Sequence, residues 1–242
     1  MGNLKKRVPY RLRDMLRPEF PSLSRPWLQG SFSQAGEDRI VRFLFDVLGV
    51  ERPTYLDVGA YHPFHLSNTA LLCHGGSTGV NVEPDPDAIA AFHRHRPQDV
   101  NLNIGVGAEP GRLTFYRMTL PTLNTFDKEA AERTLAISDG VHDIVETVTV
   151  EVRTMTDVLD EVGRCPDFLS LDAEGLDLQI LETLPTWPGR PVVLCVEVLA
   201  YAGVLAYATR DTEIPQMMDT LGYEKVADTW VNAVYVDRDR WR

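Results

Sequence analysis

The chain has 242 residues, 44% of them hydrophobic, and its 24 Lys and Arg face 35 Asp and Glu for a formal net charge of −11. That is enough apolar material for one large domain with a sizeable core, and no apolar run approaches the roughly 20 residues of a membrane-spanning helix. The acidic balance argues against duplex nucleic acid as a partner. No secretory signal pattern is visible, and Cys73, Cys165 and Cys195, without C-x-x-C spacing, read as reduced thiols of a cytoplasmic protein.

Residues 1–30 are basic and interrupted by Pro9, Pro18, Pro21 and Pro26, so they read as an arm preceding a domain over 31–242. An amphipathic helix follows Ser33–Asp38 and stops at Gly49. Its acidic start places Gln34 and Glu37 as candidates to line a ligand site. A buried strand over 54–58 ends in Asp57-Val58-Gly59-Ala60, where small residues let a ligand approach the backbone. Ser67-Asn68 then starts a short helix. A second strand, 79–83, ends in Glu83-Pro84, and a helix runs over 87–96. Its His93-Arg94-His95-Arg96 end reads as a solvated C-terminal turn suited to the helix dipole.

A third strand is expected over 100–106 and an exposed alternating strand over 112–118. A helix over 127–137, a loop over 138–143, a half-wet strand over 145–152 and a short helix over 156–162 come next. The fourth buried strand, 167–171, ends in Asp172-Ala173-Glu174-Gly175 and leads into a helix over 177–184. The apolar run 192–198 suits a sheet covered on both faces and carries Glu197 near its end. After a loop containing Tyr201 and Tyr207 and a helix over 211–221, segments 223–229 and 233–237 form two strands with no helix between them. The expectation is a doubly wound, mostly parallel Rossmann-like α/β sheet with a C-terminal antiparallel hairpin.

Asp57, Glu83, Asp172 and Glu197 stand at or near the ends of four strands. Ligands of open α/β sheets bind outside the carboxyl ends of the strands, so these acids should ring one crevice. They would repel phosphate, and Tyr61 and Phe64 occupy the places of the second and third glycines of a dinucleotide loop. Glu83, about 26 residues after Asp57, is near the spacing at which an acid takes ribose hydroxyls. A nucleoside with a ribose diol, cationic centres and no phosphate fits, and S-adenosylmethionine has these features.

The sequence resembles the FkbM-like family of S-adenosylmethionine-dependent methyltransferases. The resemblance rests on Ser33-Gln34-x-Gly36-Glu37-Asp38, Leu56-Asp57-Val58-Gly59-Ala60-x-x-Pro63-x-x-x-Ser67-Asn68-Thr69, and Gly79-Val80-Asn81-Val82-Glu83-Pro84. It continues through Asn101-Leu102-Asn103-Ile104-Gly105, Leu123-Asn124-Thr125-Phe126 and Phe168-Leu169-Ser170-Leu171-Asp172-x-Glu174-Gly175-Leu176-Asp177, in order over about 31–237. It implies that Asp57, Gly59 and Ala60 hold the methionine and ribose region, that Glu83 holds the ribose hydroxyls, and that Asn103-Ile104-Gly105 lies against the adenine. Pro63 departs from the glycine that many relatives carry.

By the same resemblance the reaction is methyl transfer to a hydroxyl of a sugar, glycan or natural-product scaffold. Asp172 or Glu174 is the expected base or acceptor-positioning group, with His65 next. A divalent ion such as Mg²⁺ on Asp172 with Glu174 or Glu197 is an alternative way to lower the acceptor's pKa. The competing functions are an NAD-dependent oxidoreductase on a similar sheet and a non-catalytic module that keeps the fold for assembly. A homo-oligomer is compatible with the sequence.

Overall fold

The computed structural model describes residues 30–173, 175–200 and 209–241. The expected arm (but for Gly30), Glu174, Tyr201 and Tyr207 lie outside the described residues. The elements in chain order are α1 (Glu37–Val47), β1 (Tyr55–Val58), α2 (Ala70–His74), β2 (Gly79–Val82), α3 (Pro86–His95), β3 (Val100–Leu102), β4 (Gly105–Gly107), β5 (Gly111–Met118), α4 (Lys128–Ile137), β6 (Ile144–Thr154), α5 (Met155–Val162) and β7 (Phe168–Leu171). Then come α6 (Asp177–Glu182), β8 (Val193–Glu197), β9 (Leu199–Ala200), β10 (Thr209–Arg210), α7 (Glu213–Thr220), β11 (Tyr223–Asp228), β12 (Asn232–Asp237) and α8 (Arg238–Trp241). No helix among the described residues is long and apolar enough to cross a membrane.

Seven strands form the main sheet in the order β11-β12-β8-β7-β1-β2-β3. β8, β7, β1, β2 and β3 pair in parallel, while β12 runs antiparallel to both β8 and β11. The fold is therefore α/β and mostly parallel, with β12 the one reversed strand. The short 229–231 connection leaves no length for a crossover, so only a hairpin can join β11 to β12.

Strand alternation divides the core into two layers. Leu56, Val58, Val80, Val82, Leu169 and Leu171 pack against α5, α6 and α7 through Met155, Val158, Leu159, Ile180, Leu181 and Ile214. Tyr55, Phe168, Val193 and Cys195 face the other way, against Val41, Leu44 and Phe45 of α1 and Leu72 of α2. Both faces being covered explains why these strands read as continuous apolar runs.

On the second face a polar row crosses the sheet at a single register. Asn101 of β3 pairs with Asn81 of β2, Asn81 with Asp57 of β1, Asp57 with Ser170 of β7, and Ser170 with Cys195 of β8. Buried polar groups need partners, and here the partners are local. Asn81 Nδ2 donates to Asn101 Oδ1 (2.8 Å) and Asp99 Oδ2 (3.1 Å). Thr69 Oγ1 donates to Asp57 Oδ2 at 2.6 Å, and Asn68 Nδ2 donates to Ser170 Oγ at 3.2 Å.

The expected strand over 100–106 is two strands in two sheets. β3 stays in the main sheet, and β4 joins a smaller sheet ordered β4-β6-β5. The break falls where the Asn103 side chain donates to the carbonyls of Glu83 (2.9 Å) and Pro84 (3.0 Å), turning the chain out of the ladder. Arg117 of β5 ties the small sheet to the start of α3 through Asp85 (3.1 Å) and Asp87 (2.5 Å), and to Glu146 of β6 (2.6 Å).

Gly59, just after β1, has φ 73°, and a Cβ there would sit 1.8 Å from the Asp172 carbonyl oxygen. Only glycine lets the turns after β1 and β7 approach this closely. Gly59→Ala is expected to cost about 3 kcal/mol or more, because left-handed strain and backbone overlap add. Urea denaturation of the variant measures this, and a loss below about 1 kcal/mol would show that the two turns can separate freely.

Candidate functional site

The carboxyl ends of β1, β2, β7 and β8 open into a cavity of about 330 Å³. Val58 and Gly59 after β1, Glu83 and Pro84 after β2, and Asp172 and Ala173 after β7 form its floor. Ile104, Gly105 and Phe126 form the opposite wall, where the Phe126 ring centroid lies 4.8 Å from that of Phe115. Gly105 allows that ring in, since a Cβ there would be 2.8 Å from Phe126 Cζ. Gln34 and Asn68 complete one end. Among the described residues, Glu83, Asp172 and Glu197 bring three carboxylates to the wall, and no Lys or Arg lines it.

Glu83 is held in a fixed plane. Its Oε2 accepts from the Tyr61 amide and its Oε1 from the Asp85 amide, each at 2.8 Å. Burial pushes its pKa up to about 7; the two amides pull the other way, while the charges of Asp85 and Asp172 add to the rise. Tyr61 reaches Glu83 by adopting φ 55°, a left-handed conformation unusual for a bulky residue.

The structure places other sequence-expected residues off the cavity wall. Asp57 shares a face with Tyr55 rather than with Val58, so its carboxylate turns toward Thr69 and is only 3% exposed. Its burial raises the pKa, while Thr69, Arg96 and Ser170 oppose the rise. Glu37 is fully buried and joins the start of α1 to the β11–β12 turn, accepting from Thr229 Oγ1 (2.6 Å), Asn232 Nδ2 (3.0 Å) and the Ala35 amide (2.8 Å). Burial works against its ionised form, yet these donors hold its pKa below the usual carboxylate value.

Ala60 is buried, with its amide on the Val82 carbonyl, and Asn103 is spent on the turn after β2. His65 is exposed and its amide donates to His62 Nδ1 at 3.0 Å, so His62 serves its own loop. In the basic turn ending α3, His93, Arg94 and His95 are exposed as expected, but Arg96 is fully buried. The Pro63 carbonyl accepts from Arg96 Nη2, a contact that does not depend on the residue being proline.

Several wall residues carried no role in the sequence. Tyr61 and Leu66 lie in the loop after β1; Asn124 and Phe126 belong to a family motif without an assigned task; His142 and Asn232 gave no signal. Asn124 is set by accepting from the Met118 amide (2.8 Å) and donating to Asp85 (3.1 Å). A second cavity of about 250 Å³ shares Thr122, Leu123 and Glu197 with the first. Among the described residues, no group of three His, Cys, Asp or Glu is arranged to hold a metal ion.

A mostly parallel seven-stranded sheet with one reversed strand, opening at its strand ends on a cavity whose described lining is acidic and holds no Lys or Arg, is the layout of the class I, S-adenosylmethionine-dependent methyltransferases. The family model described as the methyltransferase FkbM domain matches residues 57–225. The chain belongs to the FkbM methyltransferase family. Among solved structures it is similar to an O-methyltransferase from Bacillus cereus in complex with SAH, at 14% identity and TM-score 0.39 over 86% of this chain and 84% of that one. It is also similar to a protein assigned as an O-methyltransferase from Klebsiella pneumoniae, at 13% identity and TM-score 0.40 over 94% of each chain. No curated protein matches.

The raised Glu83 pKa has a stability consequence in the ligand-free protein. The folded state holds the proton up to about pH 7, whereas the ordinary value is 4.5. The stabilisation is therefore fully present below 4.5 and is lost as pH rises through about 7, with a span on the order of 3 kcal/mol. Denaturation midpoints measured from pH 4.5 to 8 should fall more for the wild type than for Glu83→Gln, and parallel curves would show that Glu83 ionises as an ordinary carboxylate.

Proposed function

We propose that the cavity binds S-adenosylmethionine through Glu83 and that the enzyme methylates a hydroxyl of a small polar molecule or glycan. The supporting observation is the donor set. A fixed, buried carboxylate at the end of β2 faces a cavity that, among the described residues, has three acids and no lining Lys or Arg. Such a wall accepts from a ribose diol and tolerates a cationic ligand, and it offers nothing to a pyrophosphate. The volume is in the range of small-molecule pockets.

In this reading Glu83 takes the two ribose hydroxyls, Ile104, Gly105 and Phe126 flank the adenine, and Gln34 and Asn68 meet the methionine end. Asp57 and Ala60 act from behind, by fixing the loop and the turn. The bound cofactor supplies an electrophilic methyl group. Asp172, on the wall after β7, orients the acceptor hydroxyl and holds its proton, and Glu174 remains its partner on sequence grounds. Alignment of acceptor and donor carries much of the rate in such a displacement, and the proton-holding group adds to it.

The acceptor approaches from the second cavity. Among the described residues, Asp127, Asp177, Asp211 and Glu197 line it against one guanidinium, that of Arg133, itself 3.7 Å from Asp127 and 3.6 Å from Glu129. That balance favours a neutral polyol or an amine-bearing acceptor over a phosphorylated one. Residues 31–242 act as the catalytic domain, with 1–30 as an arm preceding it.

Calorimetry should show binding of S-adenosylmethionine and its demethylated product, and none of NAD. Glu83→Ala should weaken binding at least tenfold, about 1.4 kcal/mol; unchanged affinity would remove Glu83 from the ribose. Because the diol needs the ionised carboxylate, wild-type affinity should fall up to about tenfold per pH unit below 7 and level off above it. Asp172→Asn should cut turnover far more than cofactor affinity, and equal losses would move Asp172 from chemistry to binding. Mass spectrometry of an extract incubated with the enzyme and methyl-labelled cofactor identifies the acceptor.

A further inference from the structure

Arg96 is a fully buried cation that none of the roles above uses. It stands at the C-terminal end of α3, with its guanidinium 5.3 Å from the Phe92 ring centroid. From there it reaches under the loop between β1 and α2. Nη2 donates to the Pro63 carbonyl and to Ser67 Oγ (3.1 Å), and Nη1 donates to Thr69 Oγ1 (2.8 Å) and Asn81 Oδ1 (3.4 Å). Thr69 Oγ1 in turn donates to Asp57 Oδ2 at 2.6 Å. One guanidinium thus closes the loop onto the polar row of the sheet.

That loop needs closing. It turns left-handed at two non-glycine residues, Tyr61 and Leu66, both at φ 55°. Such conformations persist only where the surroundings over-determine them. Pro63 and Ser67, both held by Arg96, bracket Leu66. The same loop sends Tyr61, Leu66 and Asn68 to the cavity wall, and the Tyr61 amide to Glu83. At this fully buried site the acceptors take these hydrogen bonds from the guanidinium itself. Lysine, whose three donors radiate from one nitrogen, cannot span the same set of acceptors as the planar guanidinium.

We propose that Arg96 is a positioning residue for cofactor binding. Its guanidinium fixes the 61–69 loop in the one conformation that presents the Tyr61 amide to Glu83 and the Asn68 side chain to the cavity. The inference rests on the reading that this cavity holds S-adenosylmethionine. It adds a residue that touches neither the cofactor nor the reacting atoms.

The test is calorimetric binding of S-adenosylhomocysteine to the wild-type chain, Arg96→Lys and Arg96→Ala, with melting temperatures and hydrogen exchange of the 61–69 amides measured alongside. Arg96→Lys should bind about tenfold more weakly or worse, with faster exchange concentrated in 61–69. Arg96→Ala should be weaker still and regain affinity when millimolar guanidinium is added. Guanidinium lowers global stability, so recovery reports the filled site and not a firmer fold. If Arg96→Ala does not fold, Arg96→Lys decides alone. Affinity within twofold of wild type in Arg96→Lys overturns the role. So does a loss of affinity with exchange raised uniformly over the domain, or with no guanidinium response in a folded Arg96→Ala. A wild-type chain that fails to bind the nucleoside instead overturns the reading of the cavity, and this inference with it.

Discussion

The burial of a polar row inside a sheet whose central strands are otherwise mostly apolar is the constraint on which the rest of this molecule depends. Asn101, Asn81, Asp57, Ser170 and Cys195 occupy one register across five strands. Left without partners, such groups would each cost on the order of 1–3 kcal/mol. The chain satisfies them from the connections that leave the strand ends: Thr69 and Asn68 from the loop after β1, Asp99 before β3, and Arg96 after α3. The elements that satisfy the row also shape the cavity. Stability and ligand geometry are therefore coupled through the same hydrogen bonds.

The two faces of the sheet divide the work. Leu56, Val58, Val80 and Val82 belong to the larger core layer, and the chain beyond Val58 and Val82 opens onto the cavity. Asp57 and Asn81 belong to the other face and act on the cavity through the loop they anchor. The small sheet forms the cavity's far side and is fastened by Arg117 to Asp85, which also fixes one oxygen of Glu83 through its amide. Glu83 thus receives one support from each of two loops, those following β1 and β2, and its plane is set before any ligand arrives.

Much of this was legible in the sequence. The order of strands and helices follows from apolar runs and their punctuation, and the reversed strand follows from two adjacent strand patterns without a helix between them. Glu83 and Asp172 were visible as acids at strand ends. Asp57 was visible too, but not its direction. A strand covered on both faces has no wet side to show which residues look toward the crevice, and alternation turns Asp57 away. Arg96 was misread because a basic last helical turn looks the same whether it meets water or a loop that precedes it by some thirty residues. The break at Asn103 depends on a side chain reaching the carbonyls of Glu83 and Pro84, which local periodicity does not encode. At position 63 the fold uses the backbone carbonyl, which any residue supplies, so the proline itself stays unexplained.

The proton on Glu83 has a thermodynamic consequence of its own. On the proposal that Glu83 takes the ribose diol as a carboxylate, a carboxyl whose pKa is pushed up to about 7 in the empty protein makes ligand capture a proton-releasing event. The released proton goes to the buffer. The heat of binding near pH 7 therefore includes the buffer's enthalpy of ionisation, and the apparent enthalpy differs between phosphate and Tris while the intrinsic affinity at that pH does not. The slope of observed heat against buffer ionisation enthalpy counts the protons released, and so measures directly how far one buried side chain changes state when the site fills.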